Sequence, residues 1–195
     1  MASSFPLRNP PLHPDDWIGA AFVRLAREGI DSVRVEVLAR DLGVSKGSFY
    51  WHFRDRDALL EQVLERWYKG ETNWLQAQEG HSSDANPASR WARIVERSSE
   101  PGRMRAEVAI RTWARRSDRV ATQLVEIEER KTCLVADVLR DIGFGGEAAD
   151  SWAAIVLLVY QGWLDRVTRS GAAVDSHKSL GAILSELVLA ASANT

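Results

Sequence analysis

Cysteine is almost missing from this sequence. Cys133 stands alone, which excludes an internal disulfide and any cysteine-based zinc site and suits a reducing compartment. Proline and glycine are also sparse, at six and thirteen of 195 residues, leaving long stretches free to form helices. No long apolar run exists. The longest, Trp152 to Tyr160, has nine residues, far short of the ~20 needed to span a bilayer. The opening segment MASSFPLRNPPLHP has no apolar stretch, so a secretory leader is not expected there. A cytoplasmic protein with no membrane partner is the expectation. A charge surplus is missing too: the net charge is −2, and residues 1–70 carry ten cationic and ten acidic side chains. Bulk electrostatics therefore does not point to nucleic acid, and any such case must come from local placement.

Catalytic signatures are equally scarce. The four histidines (His13, His52, His81, His177) are scattered singly. There is no glycine-rich phosphate loop, metal-spaced cluster or nucleophile elbow. No catalytic residue, metal site or cofactor is expected, and an enzyme is the weaker alternative.

What the sequence has is helical periodicity and eight tryptophans. Residues 1–13 read as a flexible arm. A first helix is expected from Pro14 to about Glu28, with Trp17, Ile18, Ala21, Phe22 and Leu25 on one face. Val35, Leu38, Ala39 and Leu42 form the stripe of a two-turn helix. Gly43 then favours a left-handed helix end. Ser45 suits the N-cap of a short third helix, roughly Lys46–Phe53, with Val44 and Phe49 placed as a hydrophobic staple. Asp55 caps a fourth helix carrying Leu59, Leu60, Val63, Leu64 and Trp67. After the loop 80–87, helices are expected near 88–99, 103–116, 119–142, 147–169 and 177–192. The fold class is all-α, with about nine helices. An N-terminal helix-turn-helix unit over 14–71 precedes a helical effector-binding and dimerisation domain over 72–195.

Two short helices joined at Gly43-Val44 match a helix-turn-helix by geometry. With Phe49 and Phe53 turned inward, the other face of the third helix carries Lys46, Gly47, Tyr50 and Trp51, flanked by Ser48 and His52. From Leu42 to Arg54 there are two bases and no acid. Trp51 is assigned to packing against a neighbouring helix, not to a contact.

The run Leu38 to Phe53 (LARDLGVSKGSFYWHF), extended by Arg54 to Leu60 (RDRDALL), resembles the TetR-type (TetR/AcrR-like) DNA-binding domain. The Gly-Val-Ser, Tyr-x-His-Phe and Leu-Leu elements fall at that family's spacing. The resemblance covers roughly residues 14–71. It implies that Ser45, Lys46, Gly47 and Ser48 lie nearest the base edges and that Tyr50 and His52 contact phosphates. Arg56 stands where the family usually has lysine, at a helix N-terminus suited to a phosphate. Arg34 replaces the usual Ser or Thr cap of the second helix and could reach a phosphate instead. Leu42 and Phe49 are bulkier than the family's common Ala and Leu.

By the same resemblance the partners are double-stranded DNA with a palindromic operator, a second copy of the chain, and a small effector. Repression is inherited likewise. The apolar segment 148–164 and the last helix, with Leu180, Ile183, Leu184, Leu187, Val188 and Ala191, look like the intersubunit bundle. A plain monomeric core is the competing reading. Trp67, Trp91, Trp113, Trp152, Tyr160 and Trp163, with Trp74, are candidate pocket residues for an apolar or aromatic effector. Arg111 and Arg115 could meet an anionic one, or form a solvated face. A helical carrier with an inactive head is the remaining alternative.

Overall fold

In the computed structural model, residues 12–79, 86–170, 181–182 and 185–186 are described. Helix α1 spans Pro14–Glu28 and α2 Val35–Asp41, with a 3-10 turn, Ile30–Ser32, between them. Helix α3 spans Lys46–Tyr50, α4 Arg56–Glu79, α5 Pro87–Ser98 and α6 Pro101–Ala114. Helices α7 (Asp118–Ile142) and α8 (Gly146–Ser170) follow, and residues 181–182 and 185–186 are also helical. All described secondary structure is helical, as the periodicity indicates. The expected arm lies outside the described residues except for Leu12 and His13. The loop 80–87 and the last helix, 177–192, also lie largely outside them.

Local chemistry explains the helix ends. Pro14 occupies the first turn of α1, where its missing N–H costs nothing, and the Asp16 carboxylate accepts from the His13 backbone N–H at 2.7 Å. Gly43 takes φ +68°. Its N–H donates to Arg40 O at 3.1 Å, and the Val44 N–H donates to Ala39 O at 2.9 Å. This paired closure lets the chain leave α2 with its last carbonyls satisfied. The same closure recurs at Gly143 (φ +116°), where Phe144 N–H reaches Leu139 O at 3.1 Å. Asp55 accepts from the Ala58 N–H at 2.8 Å, so it caps α4 as its residue type suggests. Helix α3 stops at Tyr50, three residues before the expected Phe53.

Two apolar cores result. The first gathers Trp17, Leu25, Leu38, Phe49, Leu59 and Leu64, all essentially inaccessible, and runs on into Ile110 of α6 and Ile127 of α7. The second joins Trp91, Val138, Leu139, Phe144, Ala153 and Leu164. Helix α4, about 36 Å long at 1.5 Å per residue, passes from α1 to α7 without a break. The expected boundary at 71/72 thus falls inside a continuous helix, and the head shares its core with the body.

Candidate nucleic-acid interface and effector cavity

The α2–α3 unit forms the tip of the head. Phe49 is wholly buried, edge-on to Trp17 at 5.3 Å and stacked on Phe53 at 5.4 Å. This inner wedge fixes the outward face of α3. Ser45, Lys46, Gly47 and Tyr50 are exposed there, with Ser48 and His52 half-buried. Ser45 sits at the N-cap, yet its side chain makes no capping hydrogen bond, leaving the hydroxyl available.

Three features differ from the sequence reading. Trp51 does not pack against a neighbouring helix: it is 88% exposed, the most exposed large apolar side chain described. Trp51 keeps helical backbone angles (φ −73°, ψ −24°) just past α3, so its indole stays on the outward face beside Tyr50, away from the Phe49–Phe53 wedge. Arg56, with its side chain 36% exposed at the start of α4, is also tied back to the head. Its Nε donates to Val33 O at 2.5 Å and its Nη2 to Ile30 O at 2.7 Å, tying the head's connecting turn to α4. Lys46 is held by Glu36 across the turn at 2.9 Å, both side chains more than half exposed. Arg34 is exposed and donates through Nε to Asp31 O at 3.0 Å. It makes no side-chain cap on α2.

A cavity of about 520 Å³ lies between head and body. Its walls come from α1 (Phe22, Val23, Ala26), α4 (Trp67, Glu71, Trp74), α5, α6, α7 and α8. Of the sequence candidates, Trp67, Trp91 and Tyr160 line it, and so does Trp74. Trp113 packs half-buried on the first core, and Trp152 and Trp163 pack on the second. They were open to misassignment because α6 and α8 carry apolar residues on several faces, so spacing alone does not say which face meets the cavity.

The floor of the cavity is ionic, which the tryptophan count does not suggest. Glu71 is 6% and Glu107 8% exposed. The Glu71 carboxylate meets Arg97 at 2.9 Å, Arg103 at 2.5 Å and Lys131 at 3.4 Å. Glu107 meets Lys131 at 3.1 Å and Arg111 at 3.0 Å, and Arg111 also pairs with Glu128 at 2.6 Å. Arg111 therefore belongs to the buried network, not to a solvated face, whereas Arg115 is exposed. The Arg97 guanidinium also lies 4.4 Å above the Trp74 ring.

Burial alone would push the Glu107 carboxyl up, but the charges of Lys131 and Arg111 outweigh it and hold it below its ordinary value. Burial lowers Arg97 to about 10, still a cation at neutral pH. Burial and the Glu107 charge push the Tyr160 phenol up, so it stays protonated. Its hydroxyl lies 3.3 Å from Glu107 Oε2 and 3.4 Å from Ser98 O, each an acceptor for that proton. Each member of this network reads as an ordinary surface charge in sequence. Only the packing of α4, α5, α6 and α7 brings them together.

The described residues thus form a helical body bearing an N-terminal helix-turn-helix, with a cavity at the junction. Residues 18–63 match the family model described as bacterial regulatory proteins, tetR family, and this N-terminal segment is similar to the TetR-type DNA-binding domain. The segment is 41% identical over 54 residues to the class A tetracycline repressor protein from transposon 1721 of Escherichia coli, covering 28% of this chain and 25% of that protein. It is 36% identical over 55 residues to a helix-turn-helix transcriptional repressor of Mycobacterium tuberculosis, covering 28% of this chain and 21% of that one. These matches span only a fifth to a quarter of the curated relatives.

Across almost the whole chain the likeness is one of fold. A transcriptional regulator from Saccharomonospora viridis in complex with choline matches with TM-score 0.75 at 20% identity, covering 90% of this chain and 94% of that one. A TetR transcription regulator from Haloarcula marismortui matches with TM-score 0.70 at 14% identity, covering 91% and 96%. No described helix is long and apolar enough to cross a membrane.

Proposed function

We propose that the chain is a cytoplasmic, dimeric transcriptional repressor. In this reading the α3 face binds a palindromic DNA site, and a small molecule in the junction cavity weakens that binding. The observation that carries it is the outward face of α3. A five-residue helix holds Lys46, Gly47 and Tyr50 in solvent over a buried Phe49 anchor, with Trp51 exposed next to it. Exposing two aromatic rings at the tip of a small domain is unfavourable in isolation and suits a surface that closes on a partner. Ser45, Lys46, Gly47 and Ser48 are assigned to the base edges. Tyr50, His52 and Arg34 are assigned to phosphates, and Arg56 to holding the head together.

Dimerisation is assigned to α8. Ala154, Ile155, Leu158 and Gly162 form an exposed stripe at helical spacing, with Leu158 66% and Ile155 40% exposed. Two-fold DNA sites need two reading heads. The choline in the S. viridis structure supports a small-molecule role for the cavity.

Selection from a random-sequence duplex pool by the purified chain tests the reading. Enrichment of a two-fold symmetric site is the expected result, and failure to enrich any sequence above the starting pool overturns it. Leu158→Arg should convert the dimer to a monomer in sedimentation, because a cation buried at that seam loses its water. A wild type that sediments as a monomer at micromolar concentration removes the dimer assignment.

A further inference from the structure

The junction cavity is richer in positive charge than the protein around it. The whole chain has slightly fewer cationic than acidic residues, 25 against 27. The cavity lining reverses that balance: Arg27, Arg66, Arg97, Arg103, Arg105 and Lys131 face three carboxylates, Glu71, Glu100 and Glu107. One of the three is committed elsewhere. Glu100 caps α6, accepting from the Gly102 N–H at 2.8 Å and the Arg103 N–H at 2.7 Å.

On the floor, the single Glu71 carboxylate serves Arg97, Arg103 and Lys131 at once. Lys131 is shared in turn with Glu107. Arg103 gives Nη1 to Glu71, and no other side-chain hydrogen bond from its guanidinium is made among the described residues. A guanidinium has five N–H donors in a planar fork, so most of that fork remains free. Its side chain is 40% exposed, the most accessible of the floor cations. Arg27, Arg66 and Arg105 are exposed and make no ion pair with a described residue. Above this floor the walls are apolar and aromatic: Phe22, Trp67, Trp91, Val156 and Leu157. Arg97, Arg103 and Lys131 share two carboxylates, Glu71 and Glu107, which leaves a cation in surplus in a site partly withdrawn from water, and an incoming anion would compensate it.

We propose that the cavity binds an amphipathic organic carboxylate, its head on Arg103 beside Arg97 and Lys131 and its apolar body against the tryptophan wall. This rests on reading the cavity as the effector site and names the ligand's chemical class. The walls alone would accept a neutral aromatic or a cation held by ring faces. The surplus of cations decides against the cation, and the unfilled Arg103 fork favours the carboxylate over a neutral body.

The test is a matched set of probes: decanoate, decan-1-ol, decyltrimethylammonium and choline, titrated by calorimetry and by tryptophan fluorescence. Decanoate should bind about tenfold or more tighter than decanol, the margin of one charged hydrogen bond. Arg103→Gln should remove that margin, bringing decanoate affinity down to that of decanol in the same variant. Equal affinity for decanoate and decanol, tighter binding of either ammonium, an unaltered margin in Arg103→Gln, or no binding of decanoate each overturns the proposal. Duplex selection on the same preparation separates the two claims. A chain that selects a DNA site without preferring the carboxylate loses this inference and keeps the regulatory reading. One that prefers the carboxylate yet selects no DNA loses the regulatory reading alone.

Discussion

At the scale of single residues, charges that look alike in sequence have very different consequences. The Lys46–Glu36 pair is exposed on both sides, and such pairs contribute roughly 0–1 kcal/mol. It therefore costs little for Lys46 to leave Glu36 for a phosphate. Glu36→Gln should raise duplex affinity slightly, by up to about fivefold, as a repelling carboxylate leaves the DNA face. Lys46→Ala should weaken binding and flatten its salt dependence by about one unit of slope. A salt series of mobility shifts checks both, and unchanged affinity in Lys46→Ala and Tyr50→Phe together would remove these residues from the interface. Glu107 is the opposite case. It is buried between Lys131 and Arg111, and removing one partner of a buried pair costs about 3–5 kcal/mol. Glu107→Gln should lower stability in denaturant melts on that scale at neutral pH. Because the folded carboxyl titrates below its ordinary value near 4.5, its contribution is full above that pH and is lost as pH falls through the lower folded value. The gap between wild type and Glu107→Gln should narrow as the solution is acidified below about 4.5. A gap independent of pH would show that the ionised form is not what stabilises the fold.

At the scale of elements, legibility followed from how local the physics is. The stripe Val35–Leu38–Ala39–Leu42 and the glycine after it are contained within one short segment, and the structure closes α2 at Gly43 with φ +68°. A β-carbon there meets no clash, so the cost of Gly43→Ala is backbone strain alone, about 1 kcal/mol in thermal or denaturant unfolding. A neutral substitution would mean that the turn relaxes out of the left-handed region. The Asp55 cap, the Phe49–Phe53 wedge and the starts of α5 to α8 were legible for the same reason. The end of α3 was not. Phe53 is buried beside Phe49, so the apolar pattern continues past Tyr50 although the helix stops. Nor could the cavity be assigned by tryptophan count. Trp67 and Trp91 face it while Trp113 faces the first core, and this choice is made by helices distant in sequence. The ionic floor was hidden for the same reason, since Glu71, Glu107 and Lys131 sit on three different helices.

At the scale of the whole molecule, the cavity's position matters as much as its lining. Phe22, Val23 and Ala26 of α1 form one wall, and Trp67, Glu71 and Trp74 of α4 form the next. Both helices belong to the head's own core, through Trp17 and Leu25 on α1 and Leu59 and Leu64 on α4. Arg56 links the start of α4 to the turn between α1 and α2 through two carbonyls. A ligand in the cavity therefore touches the two helices that orient α3, with no long relay between sites. Contact alone does not produce regulation: the ligand must favour the head orientation that fits DNA poorly, because equal affinity for both orientations shifts nothing. Coupling between two such sites commonly amounts to about 1–3 kcal/mol, roughly 5- to 150-fold in affinity. Decanoate at saturation should therefore weaken binding of the selected duplex by a factor in that range. The duplex should weaken decanoate binding by the same factor, since the linkage is reciprocal. Both arms can be measured on one preparation, by fluorescence anisotropy of labelled duplex and by calorimetry of the ligand. Decanoate that binds with its carboxylate preference intact and leaves duplex affinity unchanged would mean that the head does not respond to the cavity. In that case α1 is only a wall of the cavity, and regulation must enter elsewhere.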